Sequence, residues 1–231
     1  MTLMPGEVIS YLQMCSEESA SLQRGMNFKL RPSHSVVLMS VRAGAPYKDA
    51  VVDDGQALIY EGHDVGRTPE GPDPKKSDQP MVTPAGTLAQ NGLFFEAAKA
   101  AQAGKAPAEL IRVYEKIRTG IWVYAGLFRL VDAWLEPANG RKVFKFRLEI
   151  AEKLSAPTST AGELEHTRII PRAVKLEVWK RDQGRCVKCG ATDNLHFDHD
   201  IPYSMGGSSL TVANIQLLCA RHNLAKHDVL E

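Results

Sequence analysis

Two short half-sites near the C-terminal end, Cys186-x-x-Cys189 and Cys219-x-x-His222, constrain this chain more than any other feature. A Cys-x-x-Cys turn aims two thiolates at one point, and a pair from a distant segment completes a tetrahedron. Four N/S ligands leave no position for water, which is the closed geometry of structural zinc. Three of the four cysteines fall in these half-sites, and Cys15 stands alone near the N-terminus. In a reducing compartment that spacing signals metal and not disulfides. A module with so small a core is expected not to fold without its Zn²⁺.

At 231 residues the chain is long enough for one large domain or two ordinary ones. Hydrophobic content of 44% and charged content of 24% are those of a soluble globular protein. No apolar run approaches the roughly 18 residues of a membrane span, and the opening MTLMPGEVIS lacks the basic start and apolar middle of a signal peptide. The expectation is a cytoplasmic protein with no membrane partner. A net charge of +1 averages over an uneven distribution. Arg168, Arg172, Lys175, Lys180, Arg181, Arg185 and Lys188 stand together against Glu177 and Asp182, directly before the first half-site, while the first 80 residues lean acidic. A phosphate backbone attracts such a patch; a solvated helix face is the plain alternative.

Residues 1 to 35 carry little periodic signal beyond a short amphipathic helix around Glu7 to Leu22. SVVLMSV and QALIYEG then read as strands about the turn GAPYKD. Residues 64 to 92 are rich in Pro, Gly and Asp and predict a long loop, a frequent binding element. LFFEAAKAAQAG predicts a helix that Gly104 stops, and ELIRVYEKI, GIWVYAGLFRLVDAWLE and KVFKFRLEI predict three more strands. The polar segment 155–167, SAPTSTAGELEHT, marks a linker between a domain over 1–154 and one over 168–231. PRAVKLEVWKRDQG beyond it is a helix with Pro171 at its start and Val174, Val178 and Trp179 facing the core.

Between the half-sites LHFDHDIP reads as a strand ending at Asp198-His199, SMGGSS as a loop, and NIQLLC as a second strand. A helix from about Ala220 puts Asn223 and His227 on one face. This ββα-metal pattern over about 168–228 resembles the HNH nuclease family, whose Asp-His, Asn and final Asn or His are matched by Asp198-His199, Asn214 and Asn223. The resemblance implies that His199 is the general base for phosphodiester hydrolysis, since its unperturbed pKa near 6.5 suits proton uptake at neutral pH. It further implies that Asn214 orients that imidazole, and that Asp198 and Asn223 ligate one catalytic Mg²⁺ or Mn²⁺ through hard oxygen donors. His227 stands where some members place a further metal-binding His.

In the first domain, SVRAGAPYKDAVVDDGQALIYEGHD and the later IRVYEKIRTGIWVYAGLFRLVDAWLEPANGRKVFKFRLE resemble separated motifs of SRA-YDG domains, in the right order over about 35–150. SRA domains flip a modified cytosine out of the duplex into a pocket, recovering the lost stacking between aromatic rings. The resemblance gives Tyr47 and Tyr60 the stacking positions and Asp49 the cytosine amino edge, with Asp53 as competitor because one extra residue separates Tyr47 from Gly55. Arg67, Lys75, Lys76, Gln90 and Asn91 are candidate groove contacts. The expected fold is therefore α+β: a twisted, β-barrel-like SRA domain followed by a small zinc-stabilised ββα-metal HNH domain. The combination resembles modification-dependent restriction endonucleases acting on double-stranded DNA that carries 5-methylcytosine or 5-hydroxymethylcytosine. One such site cuts one strand, so a homodimer is expected. A zinc-stabilised reader without cleavage and a nuclease indifferent to modification are the alternatives.

Overall fold

The computed structural model of the protein describes residues 3–42, 44–151, 169–201 and 207–226. The expected linker 155–167, Arg168 and His227 lie outside the described residues. In chain order the elements are β1 (Val8–Ile9), α1 (Tyr11–Glu17), β2 (Met26–Arg31), β3 (His34–Met39), β4 (Ala50–Val52), β5 (Ala57–Glu61), α2 (Gln90–Gln102), β6 (Leu110–Arg118), β7 (Ile121–Ala138) and β8 (Arg141–Ile150). The C-terminal unit adds α3 (Arg172–Arg181), β9 (Leu195–His199), β10 (Ile215–Cys219) and α4 (Ala220–Lys226). No helix among the described residues is long and apolar enough to cross a membrane.

Eight strands form one sheet in the order β2-β3-β6-β7-β8-β5-β4, with β1 paired to β7. β3 and β6 run parallel and the other pairs antiparallel. The sheet curls enough that Tyr60 of β5 donates its hydroxyl to the Leu38 carbonyl of β3, 3.4 Å away, although three strands separate them in the order. Val37, Leu58, Phe128, Phe144 and Phe146 close the main core against Phe94 and Ala98 of α2. A second core puts Met14 and Leu22 against Tyr114 and Tyr124. The N-terminal helix is shorter than the pattern predicts, because β1 takes Val8 and Ile9 into the sheet. Ser10 and Gln13 cap α1 reciprocally, each side chain accepting the other's backbone N–H. β2 is an addition to the expected elements, although MNFKLR alternates apolar and polar residues as a half-buried strand does. It pairs with β3, and its Phe28 N–H donates to the Gln90 side chain.

The two-residue period of β6 joins the units. Ile111, Val113, Glu115 and Ile117 share one face; the first two enter the main core, whereas Ile117 packs in the C-terminal core with Val174, Val178, Leu195, Phe197 and Leu217. Glu115 meets the Lys175 ammonium at 2.6 Å, and both side chains are almost fully buried. Arg172 donates to the Ile117 carbonyl at 2.6 Å, and the Phe197 N–H donates to the Gly6 carbonyl at 3.1 Å. Two of the basic residues expected to face phosphate, Lys175 and Arg172, thus tie the units together. Arg181 is also engaged, by Asp182 and by the Val212 and Ile215 carbonyls. The reason is the α3 register: the positions facing β6 carry long cations whose heads find a carboxylate or carbonyl. Lys180 and Arg185 remain exposed. Lys175→Met is expected to destabilise the protein by about 3–5 kcal/mol, because it strands a buried carboxylate, whereas Lys175→Met with Glu115→Leu recovers most of that loss. Denaturant midpoints of the two variants check this; equal losses would remove the ion pair from the interface account.

Candidate functional site

The C-terminal site starts from a two-stranded antiparallel sheet in which Asp198 pairs with Gln216 and His199 with Ile215. Leu195 and Phe197 face the core; Asp198, on the alternate face, meets α4. α4 begins at the residue after Cys219, so His222 returns to the cysteines, and Asn223 follows it as a buried residue of the same helix.

The ligand atoms of Cys186, Cys189, Cys219 and His222 all lie within 4.8 Å of one another. His222 Nδ1 is 3.3 Å from Cys186 Sγ and 3.4 Å from Cys219 Sγ, and the Cys189 and Cys219 sulfurs are 3.8 Å apart. Burial would raise the Cys186 thiol, but hydrogen bonds from the N–H groups of Cys219, Lys188 and Cys189 and from His222 outweigh it and hold the pKa at about 6. That favours thiolate, the form a metal binds. A set of three thiols and one imidazole at these separations could hold a zinc ion.

Asp198, His199, Asn214 and Asn223 are all buried. His199 Nε2 lies 2.7 Å from the Ser209 hydroxyl. Asn214 accepts the Ile201 N–H at 2.7 Å and donates to the carbonyls of Ile201 and Ser208 at 3.0 and 3.2 Å. Asn214 holds the loop whose next residue, Ser209, contacts the imidazole. A Cβ at Gly207 would run into the Ile201 carbonyl and the Asn214 amide, so this close approach requires glycine. Asp198 Oδ2 is 2.7 Å from Lys226 Nζ, which also donates to the His199 carbonyl. Asn223 Oδ1 is buried without a hydrogen-bond donor. An orphaned amide oxygen on the helix that faces a buried carboxylate suits a hard cation, so Asp198 and Asn223 fit the expected ion.

In the first unit, Tyr47 stacks on His63 with ring centroids 5.5 Å apart and planes at 25°. The Tyr60 hydroxyl lies 3.2 Å from His63 Nε2. Lys75 Nζ sits 4.2 Å over the Tyr47 ring and 2.7 Å from Asp64. Asp49 accepts the Ser40 N–H at 2.9 Å and the Glu61 N–H at 3.0 Å. Burial pushes its carboxyl up to about 6 against those two donors. Burial likewise lowers His63 to about 4, leaving a neutral ring. Tyr47 and Tyr60 thus meet through His63, while Asp49 is held by the backbone of Ser40 and Glu61. Asp53 stands apart: its carboxylate pairs with Arg147, and its side chain is half exposed. Gln90 and Asn91 do not face a groove. Gln90 holds β2, and buried Asn91 clamps the His63 backbone, accepting its N–H and donating to its carbonyl at 2.8 Å each. Arg67, Lys75 and Lys76 are exposed.

Three residues of these sites escape sequence reasoning: Ser209, Lys226 and His63. Ser209 sits in a loop of similar serines, and Lys226 reads as a solvated helix end. His63 lies beyond the last residue of β5, where strand periodicity has ended. A signal for Lys226 exists in its spacing, one turn after Asn223, which puts both on the face of α4 that meets Asp198.

The family model described as HNH endonuclease matches residues 186–229, so the C-terminal unit is an HNH domain. Among solved structures, the chain is similar to SUVH5 SRA in complex with hemi-methylated CG DNA, at 22% identity over 69% of this chain and 95% of that one, with a TM-score of 0.46. It is also similar to SUVH5 SRA bound to fully hydroxymethylated CG DNA, at 19% identity over 66% and 89% of the two chains and a TM-score of 0.44. Arabidopsis thaliana SUVH6 in complex with SAM aligns at 19% identity over 76% of this chain and 29% of that one, with a TM-score of 0.42. No curated protein matches the chain.

Proposed function

We propose that this protein is a modification-dependent DNA endonuclease: the N-terminal unit takes up an everted 5-methylcytosine or 5-hydroxymethylcytosine, and the HNH domain hydrolyses a phosphodiester bond nearby. The observation that supports the reading is the four-ligand cluster beside a hairpin that carries buried Asp198 and His199 and a helix that carries buried Asn223, within the segment that matches the HNH family. His199 takes the proton of the attacking water, with the Ser209 hydroxyl fixing the plane of its ring and Asn214 fixing the Ser208-Ser209 loop. Asp198 and Asn223 would hold a divalent cation, Mg²⁺ or Mn²⁺, which would neutralise charge on the phosphate and the leaving oxygen. The cluster of Cys186, Cys189, Cys219 and His222 holds structural zinc.

The pocket supports the other half of the reading. Tyr47 is half-buried, stacked on His63 with Lys75 over its ring, and would stack on the base once Lys75 moves aside; Asp49 is the acceptor for the cytosine amino group. Because a single HNH site cuts one strand, a homodimer makes the double-strand break. Digestion of matched duplexes containing cytosine, 5-methylcytosine, 5-hydroxymethylcytosine or glucosylated cytosine, with Mg²⁺ or Mn²⁺, tests the assignment. Cleavage of the methylated or hydroxymethylated duplex alone is expected. Equal cleavage of all four would replace it with a nuclease indifferent to modification, and no cleavage with selective binding would leave a reader. Tyr47→Ala is expected to lose about 1–3 kcal/mol of binding to the modified duplex, the usual worth of stacking one base. Affinity for the unmodified duplex should stay unchanged in the same titration.

A further inference from the structure

We propose that Lys226 is the resident cation of the HNH site: its ammonium holds the place on Asp198 that a divalent ion must take, and so sets the ion concentration at which the site fills. The inference rests on the reading of Asp198 and Asn223 as cation ligands. Lys226 Nζ lies 2.7 Å from Asp198 Oδ2 and also donates to the His199 carbonyl, so it bridges the two residues on which the chemistry depends. The Asp198 side chain is 5% exposed and that of Lys226 26% exposed. A carboxylate so deep needs a positive partner, and here a flexible four-carbon stem brings it in from the last turn of α4.

The ammonium does not complete the site. Asn223 Oδ1, three residues earlier on the same helix, stays buried and without a donor. Lys226 satisfies the charge of Asp198 but not the oxygen of Asn223, whereas a cation ligated by both would satisfy each. Two positive charges cannot share one buried carboxylate oxygen at contact distance without strong repulsion. Lys226 and a divalent ion on Asp198 therefore compete, and the ammonium withdraws along its partly exposed stem as the ion enters. A site that is open only part of the time binds more weakly in proportion to its closed fraction. Removing the ammonium is thus expected to tighten ion binding by about tenfold, the value for a site open one-tenth of the time.

Calorimetric titration of Mn²⁺ into the full-length, zinc-loaded protein tests this, with Lys226→Met, Lys226→Gln and Asp198→Asn alongside the wild type. Zinc content and circular dichroism report whether each variant is folded, and Gln retains a donor for the His199 carbonyl if Met disturbs α4. The expected result is Mn²⁺ binding about tenfold tighter in either Lys226 variant, and absent in Asp198→Asn. Unchanged or weaker Mn²⁺ binding in folded Lys226 variants, with Asp198→Asn still abolishing it, would overturn the role of Lys226 while leaving the cation site standing. Undiminished binding in Asp198→Asn would overturn both, because the ion would then sit elsewhere.

Discussion

His199→Ala is expected to lower phosphodiester cleavage by about 10²–10⁴-fold, the range a positioned general base contributes, while DNA binding stays intact. His199 is the last residue of β9 and is buried beside Asp198, with Ser209 on its Nε2. Among Asp198, His199, Asn214, Ser209 and Asn223, it is the one imidazole. Asn214 and Asn223 do not titrate, Ser209 is a hydroxyl, and Asp198 is committed to a cation. The variant should keep its fold, because Phe197 and Ile215, which anchor the strand, lie in the core and are untouched. Single-turnover cleavage of a modified duplex, with binding measured on the same DNA and zinc content as a control, checks the prediction. Retention of the wild-type rate by a folded His199→Ala protein would transfer the base to another group and undo the mechanism.

Much of this site was legible in the sequence because its chemistry depends on spacing. Two cysteines separated by two residues can meet one ion only through a tight turn, and Asn223 must follow His222 to emerge on the other side of α4. Those relations hold before any tertiary packing is considered. Strands with alternating or continuous apolar character, from Ile111 to Ile150, were legible for the same reason. What was hidden depends on which neighbour a long polar side chain finds. Lys175 and Arg172 read as phosphate ligands because their cationic heads say nothing about register, and only the packing of α3 on β6 turns them to Glu115 and the Ile117 carbonyl. Asn91 read as a groove contact but is buried, because its side-chain amide can replace the missing sheet partners of the His63 backbone. β2 carried a signal that was overlooked: Met26, Phe28 and Leu30 alternate with polar residues, the pattern of a half-buried strand, over only six residues.

Removing the metal from the four-ligand cluster is expected to unfold the C-terminal unit while the large sheet persists. Binding of structural zinc by such sites is worth about 10–16 kcal/mol at neutral pH, comparable to or larger than the total stability of an ordinary domain. The apolar core of this unit is small, resting on Val174, Val178, Leu195, Phe197, Ile215, Leu217 and Leu218, and part of its packing is borrowed from Ile117 and Val123 of the sheet. Without the ion, Cys186 and Cys189 no longer tie the end of α3 to the start of α4, and Cys219 and His222 no longer anchor the hairpin. The sheet should survive because its main core closes against α2 with residues that all lie outside the HNH segment. Tryptophan fluorescence separates the two outcomes. Trp179 packs on Phe197 with centroids 6.4 Å apart in the C-terminal unit, whereas Trp122 and Trp134 belong to β7. In a Trp179-only protein, with Trp122 and Trp134 replaced by Phe, chelation or Cys219→Ser should shift the emission to that of an exposed indole. Hydrogen exchange should meanwhile remain slow in β7 and β8 and become fast in β9 and β10. Continued protection of β9 and β10 after verified loss of the metal would mean that packing on Ile117 and Val123, and the Lys175–Glu115 pair, suffice to hold the HNH unit together. The zinc would then be a refinement of a site that the interface already folds.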